Sequence, residues 1–339
     1  MRLLRAFAAT LAAALVVACS TASSGDATAG EDLTKHAKTP DRDWEAHPAI
    51  VEIDDADHIY AVSDIHGHYQ QFAALLEANH LATNTAPDPD KARWTGGHGI
   101  LVVAGDLIDK GPQSLEVIDL LRALEASAKA SGGRVIVTMG NHEAEFLGDP
   151  KNEKAMSTEL DAIGINAELA EQNIDPVTLV LGTDQKGRGR WLSSLPFGAR
   201  IKKWFFSHGG NSQEMSAKDL GKKLQRSIKN NGYKDKDITD DDSILESQKW
   251  YGDFDRDKAG KKEADALGVH HLAFGHDSGA FNDHGHVLAS PNEILVKLDT
   301  AMGIHIGGEV NRGFLLHVDT QGQDKAEVLD PKGKAEKLF

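Results

Sequence analysis

The chain has 339 residues, 40% hydrophobic and 26% charged, enough for one large catalytic domain with insertions or for two smaller domains. Its formal net charge of −15 gives no general attraction to nucleic acid or anionic lipid headgroups, so an anionic substrate has to be met by metal ions or a few local cations. Cys19 is the only cysteine, which excludes an intrachain disulfide and a cysteinyl-phosphate mechanism in the domain that follows it.

The N-terminus has the make-up of an export signal. Arg2 and Arg5 precede an apolar run from Ala6 to Ala18, broken only by Thr10. At about 13 residues the run is shorter than the roughly 20 that a membrane-spanning helix needs, and it suits the core of a signal peptide. Val16-Val17-Ala18-Cys19 resembles a bacterial lipobox, in which the signal (here 1–18) is removed and the cysteine is acylated. That reading makes the protein an exported lipoprotein, anchored to a membrane through Cys19 and facing the periplasm. An ordinary signal with small residues near its cleavage site is the plainer alternative. Residues 19–49 are polar and without apolar periodicity, as in a flexible tether, and a single domain is expected from 50 to 339.

From Ile50 onward short apolar strands alternate with helical patterns, as in layered α/β folds. The pattern predicts strands at His58 to Val62, Ile100 to Ala104, Arg134 to Met139, Ile201 to Phe206, His271 to Phe274 and Glu293 to Leu298, with closing strands from Gly313 to Val318 and Ala326 to Leu329. Helices are expected from Tyr69 to Asn79 and from near Ser114, where Leu115, Ile118, Leu121 and Leu124 recur at helical spacing and Gly132 follows the end. Two stretches, 144–195 and 211–268, interrupt the alternation and read as insertions.

Most predicted strands end in residues able to hold metal. Asp64 and His66 follow the first, Asp106 the next, then Asn141, His208 and His276, often beside glycine. Strand ends at one sheet edge are where open α/β folds bind ligands. The donors are oxygen and imidazole nitrogen without sulfur, which favours manganese, iron, zinc or cobalt over calcium. Asp64 and His66 can share one ion, Asp106 can bridge two, and Asn141, His208 and His276 can complete the second. A lone Asp-x-His is a weak signal. The same signal in chain order after successive strands is a strong one. Lys234 to Asp242 is acidic but lacks calcium-loop spacing, and it reads with His284 and His286 as solvated surface.

Asp64-Ile65-His66-Gly67, Gly105-Asp106-Leu107-Ile108-Asp109-Lys110-Gly111, Gly140-Asn141-His142-Glu143, His208-Gly209-Gly210 and Gly275-His276 resemble the signatures of the phosphoprotein phosphatase family of calcineurin-like metallophosphoesterases. Leu195-Pro196 and Asp299-Thr300-Ala301-Met302 are similar to further family features, and the bacterial Shewanella-like branch is the nearest in pattern. The resemblance implies a central β-sandwich flanked by helices, an α/β fold with a dimetal site at strand-end loops. It implies that Asp64, His66 and Asp106 hold one metal, and that Asp106, Asn141, His208 and His276 hold the other. His142 would be the general acid, oriented by Asp109, and a metal-bridging hydroxide would attack a phosphate ester in line. The expected metals are manganese, with iron or zinc as alternatives. The expected substrate is a phosphorylated protein or a small phosphomonoester, and no nucleic acid is expected as a partner. A dinucleoside polyphosphate hydrolase and an inactive lipid-anchored binding module are the other readings. Where the family carries an arginine, this chain has Lys110, which keeps the charge but lacks the planar fork. Arg188, Arg190 and Arg200 are the candidates to assist it.

Overall fold

Two six-stranded sheets form the centre of the molecule. The computed structural model describes residues 41–160, 162–252, 254–322 and 324–339. The expected signal at 1–18, Cys19 and the tether up to residue 40 lie outside the described residues. Among the described residues no helix is long and apolar enough to cross a membrane.

The first sheet runs in the order Ala335–Lys337, Lys325–Leu329, Leu315–Asp319, His58–Val62, Ile100–Ala104, Arg134–Thr138. Its last three strands are parallel, with Ile59 opposite Ile100 and Ile100 opposite Arg134. The second sheet runs Ile50–Ile53, Gly198–Ile201, Trp204–Ser207, His271–Phe274, Leu295–Lys297, Leu288–Ala289. Here Trp204–Ser207, His271–Phe274 and Leu295–Lys297 are parallel neighbours.

Side-chain alternation explains how the sheets stack. Ile100, Val102 and Ala104 face a core shared with Ala199, Ile201, Trp204, Phe206, Ala273 and Val296 of the other sheet. Leu101 and Val103, between them in sequence, belong instead to the core under the helices, with Leu115, Ile118, Leu121 and Leu124 of Ser114–Ser131. A strand buried on both faces has to be apolar throughout, which is why Ile100–Ala104 carries no polar residue. Each such Leu, Ile or Val side chain contributes about 1.5–3 kcal/mol by leaving water. The helix ends at Gly132 in the left-handed conformation (φ 83°), as its position past the last apolar residue predicts.

Two expectations are corrected. The strand expected from Ile201 to Phe206 is two antiparallel strands, Gly198–Ile201 and Trp204–Ser207, folded back at Lys202 and Lys203. Lys202 has a φ of 52°, and the Lys202–Lys203 pair interrupts the apolar run at the point where the chain reverses. The domain also begins before Ile50, within the segment 19–49 expected to be a tether. Arg42 donates to the carbonyls of His47, Pro48 and Leu195 at 2.8, 2.9 and 2.7 Å, and its guanidinium lies 4.3 Å over the Trp44 ring. A planar cation with several donors fastens to carbonyls without help from apolar periodicity, so the hydrophobic pattern does not reveal it.

The interrupting stretch 144–195 contains the helices Glu153–Met156, Ile165–Glu171, Pro176–Val180 and Arg188–Leu192 and a small hairpin of Thr158–Glu159 with Ala162–Ile163. The stretch 211–268 contains Ala217–Asn231, Lys236–Thr239 and Arg256–Leu267. His284 and His286 are exposed, and His286 Nδ1 lies 3.0 Å from Asp283.

Candidate metal centre

The parallel strands place their C-terminal ends together. Asp64, Asp106 and Asn141 leave one sheet there, and His208, His276 and Asp299 leave the other. The loops turn sharply: Asp64, His66, Asp106, Asp109, Lys110 and His276 all have positive φ, between 48° and 65°. Non-glycine residues in that region cost of order 1–3 kcal/mol each and concentrate at functional sites. Gly105 (φ 82°) is needed for approach as well as for turning, since a Cβ there would sit 2.6 Å from the Gly140 Cα and 2.9 Å from His208 Nδ1.

Asp106 is the hub. Its Oδ2 lies 3.4 Å from His66 Nε2 and 3.9 Å from His142 Nε2. Its Oδ1 lies 3.3 Å from His208 Nε2. Asp64 Oδ1 is 3.9 Å from His66 Nε2, on the first side. On the second side His208 Nε2 is 3.1 Å from both Asn141 Oδ1 and His276 Nδ1. Two ligand-type clusters thus share one carboxylate, His66–Asp106–His142 and Asp106–His208–His276.

The outward nitrogens of the histidines are tied to backbone. His66 Nδ1 donates to Ile108 O at 3.0 Å, His208 Nδ1 to Ala104 O at 2.9 Å, and His276 Nε2 to Glu246 O at 3.0 Å. These bonds fix the tautomer and turn the other nitrogen's lone pair inward, as metal-ligating imidazoles require. Burial followed by the neighbouring Asp299 pushes the Asp64 carboxyl well above its usual range, and burial pushes Asp299 up to about 6. Burial also raises the Asp106 carboxyl, but His208 and His142 outweigh it and hold that group well below its usual range. Buried carboxylates this close repel one another until cations are present. The donor set therefore fits a pair of metal ions.

His142 belongs to the first cluster, and Asp109 stands behind it. His142 Nδ1 donates to Asp109 Oδ2 at 2.8 Å, and Asp109 Oδ1 accepts from the backbone N–H of Ile165 at 2.8 Å. Both side chains are buried. Lys110 Nζ lies 2.9 Å from His66 Nε2. The three arginines considered as its helpers are engaged elsewhere. Arg188 pairs with Asp119 at 2.6 Å, Arg190 donates to Gly182 O at 3.1 Å, and Arg200 pairs with Glu52 and Asp54 at 2.8 and 3.0 Å. Among the described residues the cations lining the pocket over the cluster, a cavity of about 990 Å³, are Lys110 and Lys154.

Several supporting residues carry little or no signature of their role in the sequence. Glu143 is fully buried and accepts the backbone N–H groups of Asp106, Leu107, Ile108 and Gly140 at 3.0, 2.8, 3.2 and 2.9 Å. It is the third residue of the helix Asn141–Gly148, where a glutamate reaches back to the start of its helix, and that position was the available signal. Asp299 follows its strand as the candidate ligands follow theirs. Lys154 and Glu246 come from the interrupting stretches and had no signal.

Residues 58–298 match the calcineurin-like phosphoesterase family model, and the chain belongs to that family. It is 33% identical over 85 residues to Shewanella-like protein phosphatase 2 of Arabidopsis thaliana, an alignment covering 25% of this chain and 20% of that protein. It is 34% identical over 88 residues to a symmetrical bis(5'-nucleosyl)-tetraphosphatase of Buchnera aphidicola, covering 26% and 25%. The chain thus spans about a quarter of the length of these curated relatives. The fold is that of a cold-active protein-tyrosine phosphatase from a psychrophilic Shewanella, at a TM-score of 0.64 and 20% identity, covering 86% of this chain and 82% of that one.

Proposed function

We propose that the protein is a two-metal phosphomonoesterase of the protein phosphatase type, exported and anchored through Cys19 to a membrane, where it faces the periplasm. Its substrate is a phosphorylated protein or a small phosphomonoester. The observation that carries the catalytic reading is the bridging position of Asp106, one oxygen toward His66 and the other toward His208. When bound, a pair of divalent or trivalent cations supplies the Lewis-acid charge that activates water and neutralises a phosphoryl group. Asp64, His66 and Asp106 would hold one, and Asp106, Asn141, His208 and His276 the other. The oxygen and imidazole donor set favours manganese, with iron or zinc as alternatives.

The chain's own residues do the rest. Lys110, at the pocket floor, orients the phosphoryl oxygens as a point charge. His142 commits its Nδ1–H to Asp109, which leaves Nε2 as the atom that would pass a proton to the leaving oxygen from the imidazolium form. The match to symmetrical bis(5'-nucleosyl)-tetraphosphatases supports a second reading, cleavage of a phosphoanhydride. A binding module that has lost catalysis is the third. Chelation followed by metal add-back on a panel of p-nitrophenyl phosphate, phosphopeptides and diadenosine tetraphosphate tests all three. Metal-restored hydrolysis of the monoesters is expected. Hydrolysis of the tetraphosphate alone favours the second reading, and no hydrolysis with any metal favours the third.

A further inference from the structure

The pocket floor and the pocket wall have opposite character. The floor holds the two ligand-type clusters and Lys110. The wall is lined by Glu145, Glu153, Glu159, Asp241 and Glu246, with Lys154 as its one cation among the described residues. Lys154 is already committed, its Nζ lying 2.5 Å from Glu145 Oε1. Glu153, Glu159 and Asp241 are exposed, and no ion pair holds them among the described residues. They come from separate parts of the chain, a short helix, a hairpin and the segment after Lys236–Thr239, so the negative wall is not the accident of one charged run.

We infer that this pocket selects a phosphate ester carried on a basic polypeptide segment and discriminates against a polyphosphate chain. The inference rests on the reading of the floor as a phosphomonoesterase site. A single phosphoryl group meets positive charge at the floor. The remainder of a polyphosphate would lie along the wall, where carboxylates repel it and, among the described residues, no uncommitted lysine receives it. A phosphorylated residue flanked by Lys or Arg places cations against Glu153, Glu159 and Asp241 instead. Leu160, 94% exposed, lies in the hairpin turn between Glu159 and Ala162, which both line the pocket, and it offers apolar contact to a polypeptide.

Solvent-exposed charge pairs are individually weak and are screened by salt, so the preference is modest for each pair and grows with their number. Three pairs give about a tenfold preference in kcat/KM at low ionic strength. The test uses the full-length protein with manganese and paired phosphopeptides of equal length, one set flanked by Arg and Lys, the other by Glu and Asp. Phosphoserine and phosphotyrosine versions are both run, beside p-nitrophenyl phosphate and diadenosine tetraphosphate. The basic peptides should lead by about tenfold, the lead should shrink in high salt, and the tetraphosphate should trail both. In a Glu153→Gln, Glu159→Gln, Asp241→Asn variant the ratio of basic to acidic peptide should fall toward one. If p-nitrophenyl phosphate is hydrolysed but the peptides are equal, the acidic set leads, the tetraphosphate leads, or the ratio survives in the variant, the charge preference is overturned while the esterase reading stands. If no ester is hydrolysed, the esterase reading falls and takes this inference with it.

Discussion

Arg188 and Asp119 form a buried pair, with Nε 2.8 Å from Oδ1 and Nη2 2.6 Å from Oδ2, joining the helix Arg188–Leu192 to the helix Ser114–Ser131. Lys186 also reaches Asp119 at 2.8 Å. Burial raises the Asp119 carboxyl, but the bonds to Arg188 and Lys186 outweigh it and hold the group below its usual range. A guanidinium held this way is structural, and phosphate has no access to its fork.

Arg188→Ala should therefore cost about 3 kcal/mol of stability, or roughly 6–12 °C in Tm, and leave inhibition by inorganic phosphate unchanged. Because the folded pKa of Asp119 is depressed, the pair stabilises fully above the unfolded value of about 3.9 and is lost as pH falls through the folded one. The stability gap between wild type and variant, measured in denaturant at each pH, should therefore close at the acid end. Lys110→Ala should behave oppositely, with Tm nearly held while substrate use and phosphate inhibition weaken together, and Lys110→Arg should be tolerated. If Arg188→Ala relieves phosphate inhibition, the assignment of the two cations is reversed.

Asp106→Asn removes one charge from the position shared by both clusters. The neutral amide presents one acceptor oxygen and one NH2 group that only donates, so it cannot serve His66's side and His208's side as an acceptor at once. Metal content by elemental analysis should drop and turnover should fall to background. Full metal occupancy with turnover unchanged would remove Asp106 from the bridging position.

Much of this site is visible in the sequence for a simple reason. A strand such as Ile100–Ala104 has to be apolar to pack on both faces, so the first acidic residue after it, Asp106, marks the sheet edge. The same logic reaches Asp64, Asn141, His208 and His276. It fails for Glu246, Lys154 and Asp241, because their segments have no strand periodicity to say where they fold back. It fails for Arg42 and Arg188, because a guanidinium's partners are set by tertiary contacts, and charge in a sequence does not distinguish a buried pair from a free ligand-binding cation. The turn at Lys202 is an intermediate case, legible as a charged pair inside an apolar run but overridden by the length of that run.

Glu143 binds four backbone N–H groups in the loops that carry Asp106 and Asn141, and it does so without facing the pocket. Glu143→Ala should leave those donors buried and unpaired, costing about 3–5 kcal/mol. Thermal unfolding of the metal-free protein should show the loss directly. Turnover should fall only as far as metal affinity does and recover with excess manganese. A variant with native stability would mean that water or a neighbouring side chain replaces all four bonds.

His142 is separable from the ligand set by leaving-group dependence. Its Nε2 lies 3.9 Å from Asp106 Oδ2, close enough to the first cluster to be taken for a ligand by position alone. Its Nδ1 is held by Asp109, whose other oxygen is held by the Ile165 backbone, an arrangement that fixes the ring for proton delivery. A nitrophenolate departs readily without a proton, whereas an alkyl alkoxide does not. General acid catalysis contributes about 10²–10⁴-fold where it is needed. His142→Ala should therefore retain both metals and slow alkyl phosphate hydrolysis far more than p-nitrophenyl phosphate hydrolysis. Asp109→Asn should show the same bias more weakly, because it disturbs the ring's orientation and leaves the imidazole in place. Single-turnover rates at saturating manganese keep the comparison on the chemical step. A His142→Ala enzyme that loses one metal identifies the residue as a ligand. One that keeps both metals and slows good and poor leaving groups equally assigns it to phosphate positioning, and proton delivery then falls to another group.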